Sequence, residues 1–564
     1  MAGTLERARA AVVASPELKL WAERGRSLLY GPPHDAPVRH SEVSPWRPPQ
    51  SGHKRIWQTV LSALAGLLGG LIIAASAPVW RLAPESWRIT LPGVPHPGTT
   101  AESTVLFLIG LVLLAAGWLG LVHRAGRDGS TRKRLVMVAM VIAIWAIPVS
   151  LGPPLLSNDV YSYAAQGEMA SRGVDPSSIG PVGIATGPLG GAGRNDWTTM
   201  ADPTWRASPA PYGPVAVATS RAVVEAAGHD PATSIWLWRG VVILGVVMAA
   251  VGIGLIADKS RVNPAVAIAI GLGNPIVILH LVGGVHNDAM MFGLLALGLA
   301  AAQRDRKKTA LALLAAATAV KLPAAVGLVY LGWTWPGQIA TFRKRMIATT
   351  AVLGVAFAGI ALACLAVGLG PGWITALKST GKVNDTYSPT TKIGFSISEL
   401  LGAAGVHVDG ALLAGGVRLL GLAATGLLAL VMMLRSPRIG VVRATGVMLV
   451  AYVLLGPVIW PWYLPAGFAL LAATGLGRYK PSYMVVCIAV SWAVWPTSVM
   501  SIQGLGGGYQ HLRGLGVVLL VCGLAWGAQR FSSRWERRLQ RSLDELPSPP
   551  ALSDPSEPSV AASA

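Results

Sequence analysis

Apolar runs of about 17 to 25 residues recur along the whole chain, separated by short loops that carry Lys and Arg. Each run is long enough to cross about 30 Å of hydrocarbon as a helix, with its backbone N–H and C=O groups bonded inside the segment. A membrane barrel is excluded, because its lumen side would impose alternating polar and apolar residues. Composition agrees. The 564 residues are 52% hydrophobic and 13% charged, against roughly 25% charged in soluble proteins. The expected fold class is all-α, a polytopic membrane helical bundle of about 12–14 transmembrane or re-entrant helices.

The formal charge of +20 would suit a nucleic acid, but the cations sit in inter-helix loops and at the two ends. That is the pattern of positive-inside orientation, so the bilayer is the expected partner and nucleic acid is not. Cys364, Cys487 and Cys522 lie far apart within apolar runs, without metal spacing, and read as inert packing residues. The first apolar run begins near Ile56, behind Lys54 and Arg55, and reads as a retained anchor rather than a signal peptide.

Three regions are expected: a cytoplasmic arm over 1–54 with an amphipathic helix over 5–29, a membrane domain over 55–529, and a cytoplasmic basic segment with a disordered tail over 530–564. That basic segment reads either as an anionic-lipid contact or as a plain stop signal. Spans are expected at 56–79 and 104–122. Arg124, Arg127, Arg132, Lys133 and Arg134 then mark a cytoplasmic loop, so the span over 135–151 exits outward in a plasma membrane. The longest polar insertion, 153–232, follows as an outer catalytic loop. Its Gly-rich part, 183–193, lacks the strand and GK[ST] signature of a phosphate loop and reads as surface. Further spans are expected at 235–257, 264–285, 289–302, 346–369, 410–434, 444–459, 466–476, 483–500 and 515–527. A polar outer loop over 371–394 carries Lys378, Lys382, Thr390, Thr391 and Lys392. The stretch 309–335 is interrupted at Lys321-Leu322-Pro323 and is basic beyond both ends. It is a re-entrant hairpin with Lys321 at its tip, or else a single span.

Ionisable groups at the outer ends of spans are costly unless paired or functional. Asp159 leads them, in a stretch with Asn158, Tyr161, Ser162, Tyr163, Gln166 and Glu168. It reads as a helix cap or as a general base. Tyr163 and Gln166 stand at i+4 and i+7 from it, a face suited to a sugar. His286, Asn287 and Asp288 read as a helix start or as part of the site. Arg239 either snorkels to head groups or, with Lys321, holds a lipid phosphate. Trp460, Trp462 and Tyr463 fit an aromatic belt better than a sugar platform. No cofactor is implied with certainty; one His and one Asp leave a divalent cation open but unsupported.

The ordered motifs SNDVYSYAAQG, PYGP, WRG, GGVHNDAMM, AVKLP and PVIWPWYLP, spanning 157–465, resemble the actinobacterial polyprenol-phosphate-mannose-dependent α-(1→6)-mannosyltransferases that build lipomannan and lipoarabinomannan. The resemblance implies a GT-C-type bundle whose catalytic acid falls at Asp159, with His286, Asn287 and Asp288 at the second motif. It implies a polyprenyl-phospho-mannose donor, a mannan or phosphatidylinositol-mannoside-type acceptor, and inversion of a β-linked mannosyl phosphate to an α-mannoside. Phosphate is a good leaving group, so only cations to stabilise it are needed. The two spans ahead of the one that leads into the acidic loop depart from the wider superfamily. The rival readings are a sister enzyme using another polyprenyl-phospho-sugar, such as arabinose, and a lipid-linked sugar transporter or flippase. A transporter would more often place its polar groups near the bilayer centre.

Overall fold

The computed structural model describes residues 52–77, 100–127, 130–186, 196–378, 387–494 and 508–544. The expected arm with its helix over 5–29, most of the Gly-rich segment and the tail beyond 544 lie outside the described residues. Within them the chain is helical, with no β-strand element.

Three long helices come first, α1 (Gly52–Ser76), α2 (Thr100–Ala125) and α3 (Thr131–Leu151). Ser130 caps α3 by accepting the Lys133 N–H, and Trp145 Nε1 of α3 donates to the Ala63 carbonyl of α1 at 3.0 Å. The polar insertion then forms α4 (Asp159–Ser171) and α5 (Pro214–Ala226). These two pack closely enough that a Cβ on Gly167 would stand 2.3 Å from the Ser220 carbonyl oxygen. The long helix α6 (Pro231–Lys259) is capped by Asp230, which accepts the Thr233 N–H.

Where one span is expected over 264–285, the chain instead makes the short α7 (Pro264–Gly271) and a π-helical segment, Val277–Gly283. The next helix, α8 (Asp288–Gln303), is bent 112° from that segment. The break between α7 and the π-helical segment lies at Asn274-Pro275. Proline supplies no N–H, and Asn274 repairs the break by donating to the carbonyls of Ile270 and Gly271 while accepting from Val277 N–H.

The stretch around Lys321 is the hairpin. α9 (Lys307–Val320) and α10 (Ala325–Thr334) are joined at Lys321 and a 3₁₀ turn. Lys307 Nζ donates to the Trp335 carbonyl at 3.1 Å, so the two ends meet. After α11 (Phe342–Val367), helix α12 (Pro389–Ala403) takes in Thr390, Thr391 and Lys392, which were expected in a loop. Lys392 is fully buried, with Nζ 3.2 Å from His511 Nδ1.

The rest comprises α13 (Gly410–Ile439), α14 (Val441–Leu455), a 3₁₀ turn at Pro461–Tyr463, α15 (Pro465–Ala473), α16 (Lys480–Ser491) and α17 (Gln510–Asp544). The basic stretch over 530–541 continues α17 as helix. Among the described residues seven helices (α1, α2, α3, α6, α11, α13, α17) are long and apolar enough to cross a membrane, or up to eight if the bent pair is one span. This is a multi-pass membrane protein. The expected 12–14 transmembrane or re-entrant helices include shorter ones, and the pieces within 264–285, 309–335 and 466–476 are each below the roughly 20 residues a full span needs. Two large apolar clusters form the core, one around α4, α6, α8 and α14, the other around α2, α3, α7 and α16; Trp460 and Tyr463 pack against both.

Candidate active site

Two tight turns build the site, and each enters through a residue with left-handed backbone. Leu156 (φ 61°) precedes Ser157-Asn158-Asp159, and Val285 (φ 54°) precedes His286-Asn287-Asp288. For a β-branched residue such as Val285 this costs on the order of 1–3 kcal/mol and persists only where the surroundings enforce it. Here they do. Leu155 N–H donates to the Gly283 carbonyl at 2.9 Å, joining the turns backbone to backbone. Arg239, 3% exposed, donates to the carbonyls of Val149, at 3.1 Å, and Gly152, where α3 ends.

The result sets the motifs face to face, with His286 Nδ1 3.6 Å from Asp159 Oδ2. Asp159 is the first residue of α4 rather than its cap. The N-cap position belongs to Asn158, which makes no side-chain cap bond, and Ser157 Oγ accepts the Asp159 N–H.

A cavity opens beside this carboxylate. One wall is polar, made by Ser157, Asn158, Asp159, Ser162, Gln166 and Asp202; the other is aromatic, made by Trp205, Tyr212, Trp460, Trp462 and Tyr463. Gln166 thus lines the cavity as its spacing suggests, together with Ser162 at i+3. Tyr163 does not. It lies behind the wall at 1% exposure, edge-on to Tyr212 with centroids 5.3 Å apart and tilted against Trp238. The WPWY stretch, expected in an aromatic belt, forms cavity wall because its 3₁₀ turn folds inward onto His286.

Behind the aromatic wall, Lys321 Nζ pairs with Asp288 Oδ2 at 2.6 Å. Its ammonium stands over the rings of Tyr212 and Tyr463, at 5.4 and 4.9 Å. Gly213 fixes this contact: its N–H donates to the Val320 carbonyl, and a Cβ there would stand 2.3 Å from the Ala319 carbonyl oxygen. His286 is fully buried and stacks on Trp462 at 3.9 Å. Asn287 is buried with its Oδ1 unpartnered within the protein. His286, Asn287, Asp288 and Lys321 therefore form a layer backing the cavity, whereas Arg239 is occupied at the end of α3. Glu168 is also engaged elsewhere, with Arg172 and with His229 at 2.7 Å.

Burial pushes the Asp159 carboxyl from an ordinary 3.8 up to about 6. Lys321 pulls it down, Asp288 and Asp202 push it further up, and a Ser157 hydrogen bond lowers it. A carboxyl titrating near the operating pH can take a proton from a hydroxyl and later release it. Among the described residues no group of three or more His, Cys, Asp or Glu is arranged to hold a metal ion. Sequence reasoning placed no role on Asp202, Trp205 or Tyr212; the PYGP motif and a tryptophan inside a polar loop were the available signals.

The comparisons with known proteins converge. A family model described as α-(1→6)-mannopyranosyltransferase, N-terminal domain, matches residues 59–337, and one described as MptB C-terminal domain matches 390–525. A probable α-(1→6)-mannopyranosyltransferase of Mycolicibacterium smegmatis is 30% identical over 475 residues, covering 77% of this chain and 80% of that one. α-(1→6)-Mannopyranosyltransferase B of Corynebacterium glutamicum is 28% identical, over 71% of each chain. α-(1→6)-Mannopyranosyltransferase A of Mycobacterium tuberculosis is 27% identical, over 82% of this chain and 87% of that one. No solved structure matches. With these matches spanning both turns of the site, the chain belongs to the α-(1→6)-mannopyranosyltransferase family of membrane glycosyltransferases.

Proposed function

We propose that the protein moves mannose from polyprenyl-phospho-mannose to a growing α-1,6-mannan on a glycolipid, at the outer face of the plasma membrane, with Asp159 as base. Asp159 takes the proton of the acceptor's 6-hydroxyl. That oxygen bonds to the anomeric carbon, the bond from carbon to phosphate oxygen breaks, and polyprenyl phosphate leaves with the electron pair. Attack from the side opposite the phosphate inverts a β-mannosyl phosphate to an α-mannoside. The observation that carries this reading is a half-buried carboxyl on the wall of a half-polar, half-aromatic cavity, its pKa raised by desolvation to about 6.

Lys321 supplies positive field behind Tyr212 and Tyr463 for the developing phosphate charge. Asn158 and Gln166 meet substrate from the polar wall, and His286, Asn287 and Asp288 support it from behind, as Tyr163 does through Tyr212. Arg239 contributes by holding the α3 terminus from which the Asp159 turn departs. The outward orientation is supported by charge: Arg132, Lys133 and Arg134 mark the start of α3, and Asp159 follows its end.

The test is transfer from polyprenyl-phospho-mannose to a short α-1,6-mannoside, by membranes holding the natural protein or Asp159→Asn at equal levels. Activity in the first and a loss of about a thousandfold or more in the second are expected. Undiminished transfer by the variant refutes the base. Transfer only from another donor, such as polyprenyl-phospho-arabinose, refutes the mannose assignment.

A further inference from the structure

Three nearly parallel rings stand in a column beside the base. Trp460 and Trp462 lie 4.9 Å apart and 8° from parallel, and Trp462 lies 3.9 Å and 16° from His286. The inner end of the column is covered by protein. At its open end Trp460 is half-buried and lines the cavity, as does Trp205 from the polar insertion.

The cavity lining also carries polar atoms that the protein leaves without hydrogen-bond partners. Ser162 Oγ and Trp462 Nε1 belong to side chains 5% and 4% exposed, and Asn158 Oδ1 is a third. A buried polar atom left unpaired costs about 1–3 kcal/mol, a cost relieved when a ligand hydroxyl bonds to it. The charged side chains on the wall, Asp159 and Asp202, are both acidic. A phosphate would meet repulsion there, and an alkyl chain would leave the polar atoms unpaired. A neutral pyranose fits both features, offering a C–H face to an aromatic ring and a rim of hydroxyls to the polar atoms.

We propose that Ser162, Asn158 and Trp462, with the faces of Trp460 and Trp205, form the subsite for the acceptor's terminal sugar, and that the donor phosphate lies outside it. The subsite holds the ring so that one hydroxyl meets Asp159, and in this it rests on the reading of Asp159 as base.

The experiment uses the full chain in nanodiscs and α-1,6-mannobiose as probe. Binding is read by saturation-transfer NMR in an Asp159→Asn background, so turnover plays no part. Adding Trp460→Ala or Ser162→Ala is expected to weaken mannobiose binding roughly tenfold or more. Trp462→Phe, which keeps the ring and removes the N–H, is expected to weaken it less. In otherwise natural protein, Trp460→Ala should raise the acceptor KM by the same factor and leave the donor KM within about twofold, while Trp460→Phe restores much of the loss and so controls for folding. Unchanged mannobiose binding in both alanine variants overturns the subsite, as does an equal rise in donor KM, or no binding of any pyranoside. Trp460-dependent binding of a different pyranoside upholds the subsite and refutes the mannan acceptor instead. Trp460-dependent mannobiose binding alongside undiminished transfer by Asp159→Asn upholds the subsite and refutes the base.

Discussion

The long helices and the broken ones differ in almost every physical respect. In α11 and α13 the most apolar 18-residue windows are only 17% buried inside the protein, and Ile347, Leu365, Leu412 and Leu420 stand outward. In α4, every residue from Val160 to Ala170 is buried, and the π-helical segment and most of α8 are covered likewise. The long helices satisfy their own backbones and can face lipid. The broken segments cannot, because their freed N–H and C=O groups need partners in the protein. Asn274, Arg239 and the bond from Leu155 to Gly283 are those partners. The site sits at the breaks because a turn in a buried backbone is where a polar side chain and a cavity can coexist.

The largest expected effect comes from Lys321→Met. It leaves Asp288 as an uncompensated buried charge, and removing one partner of a buried pair costs about 3–5 kcal/mol. A marked fall in thermal midpoint and a loss of transfer of roughly a hundredfold or more are expected. Adding Asp288→Asn should recover the midpoint without the activity; recovery of both would show that the pair only holds the fold.

The pH profile comes next. With Asp159 needed as the carboxylate, kcat/KM should fall about tenfold per pH unit below about 6. Stability runs the other way. The folded-state value lies above the ordinary 3.8, so the fold loses stability as pH rises between 3.8 and about 6. Above that range the charge on this half-buried group costs on the order of 3 kcal/mol. Asp159→Asn should therefore raise the thermal midpoint near neutral pH, with the gain vanishing below about pH 4. A lower midpoint at all pH values would mean that Asp159 is held for structure.

Gly213→Ala probes the contact between the PYGP turn and the hairpin. A Cβ 2.3 Å from the Ala319 carbonyl oxygen forces the turn outward, at about 1–3 kcal/mol. Transfer should drop several-fold as Tyr212 leaves Lys321; unaltered transfer would remove that contact from the mechanism. At the other extreme, Leu420→Ala on an outward face of α13 should change stability by less than about 0.5 kcal/mol and leave transfer intact. A larger loss would mean that this face packs against a partner.

The hairpin, the Asp159 turn and the HND turn were legible because each is announced locally: a Lys-Leu-Pro interruption, an acid after an apolar run, and a Gly-Gly-Val lead-in. Tyr163 was misplaced because helical spacing gives a face but not what covers it; Tyr212 and Trp238 arrive from elsewhere in the chain. The broken span over 264–285 escaped because the apolar residues on both sides of Asn274-Pro275 add up to one run of span length, in which the Asn-Pro turn signal was passed over.

By itself the sequence determined that the chain is an all-helical membrane protein with an acid at the end of its third long helix, and its motifs pointed to the family. Hydropathy and charge act residue by residue, so these properties add up along the chain without reference to its path. Tertiary structure alone decided that WPWY closes a cavity instead of standing at a membrane interface, and that Arg239 is consumed by the α3 terminus while Lys321 reaches Asp288. It also decided that desolvation raises the Asp159 carboxyl to about 6. Those outcomes depend on which distant groups share one low-dielectric space, and a pattern along the chain carries no record of that.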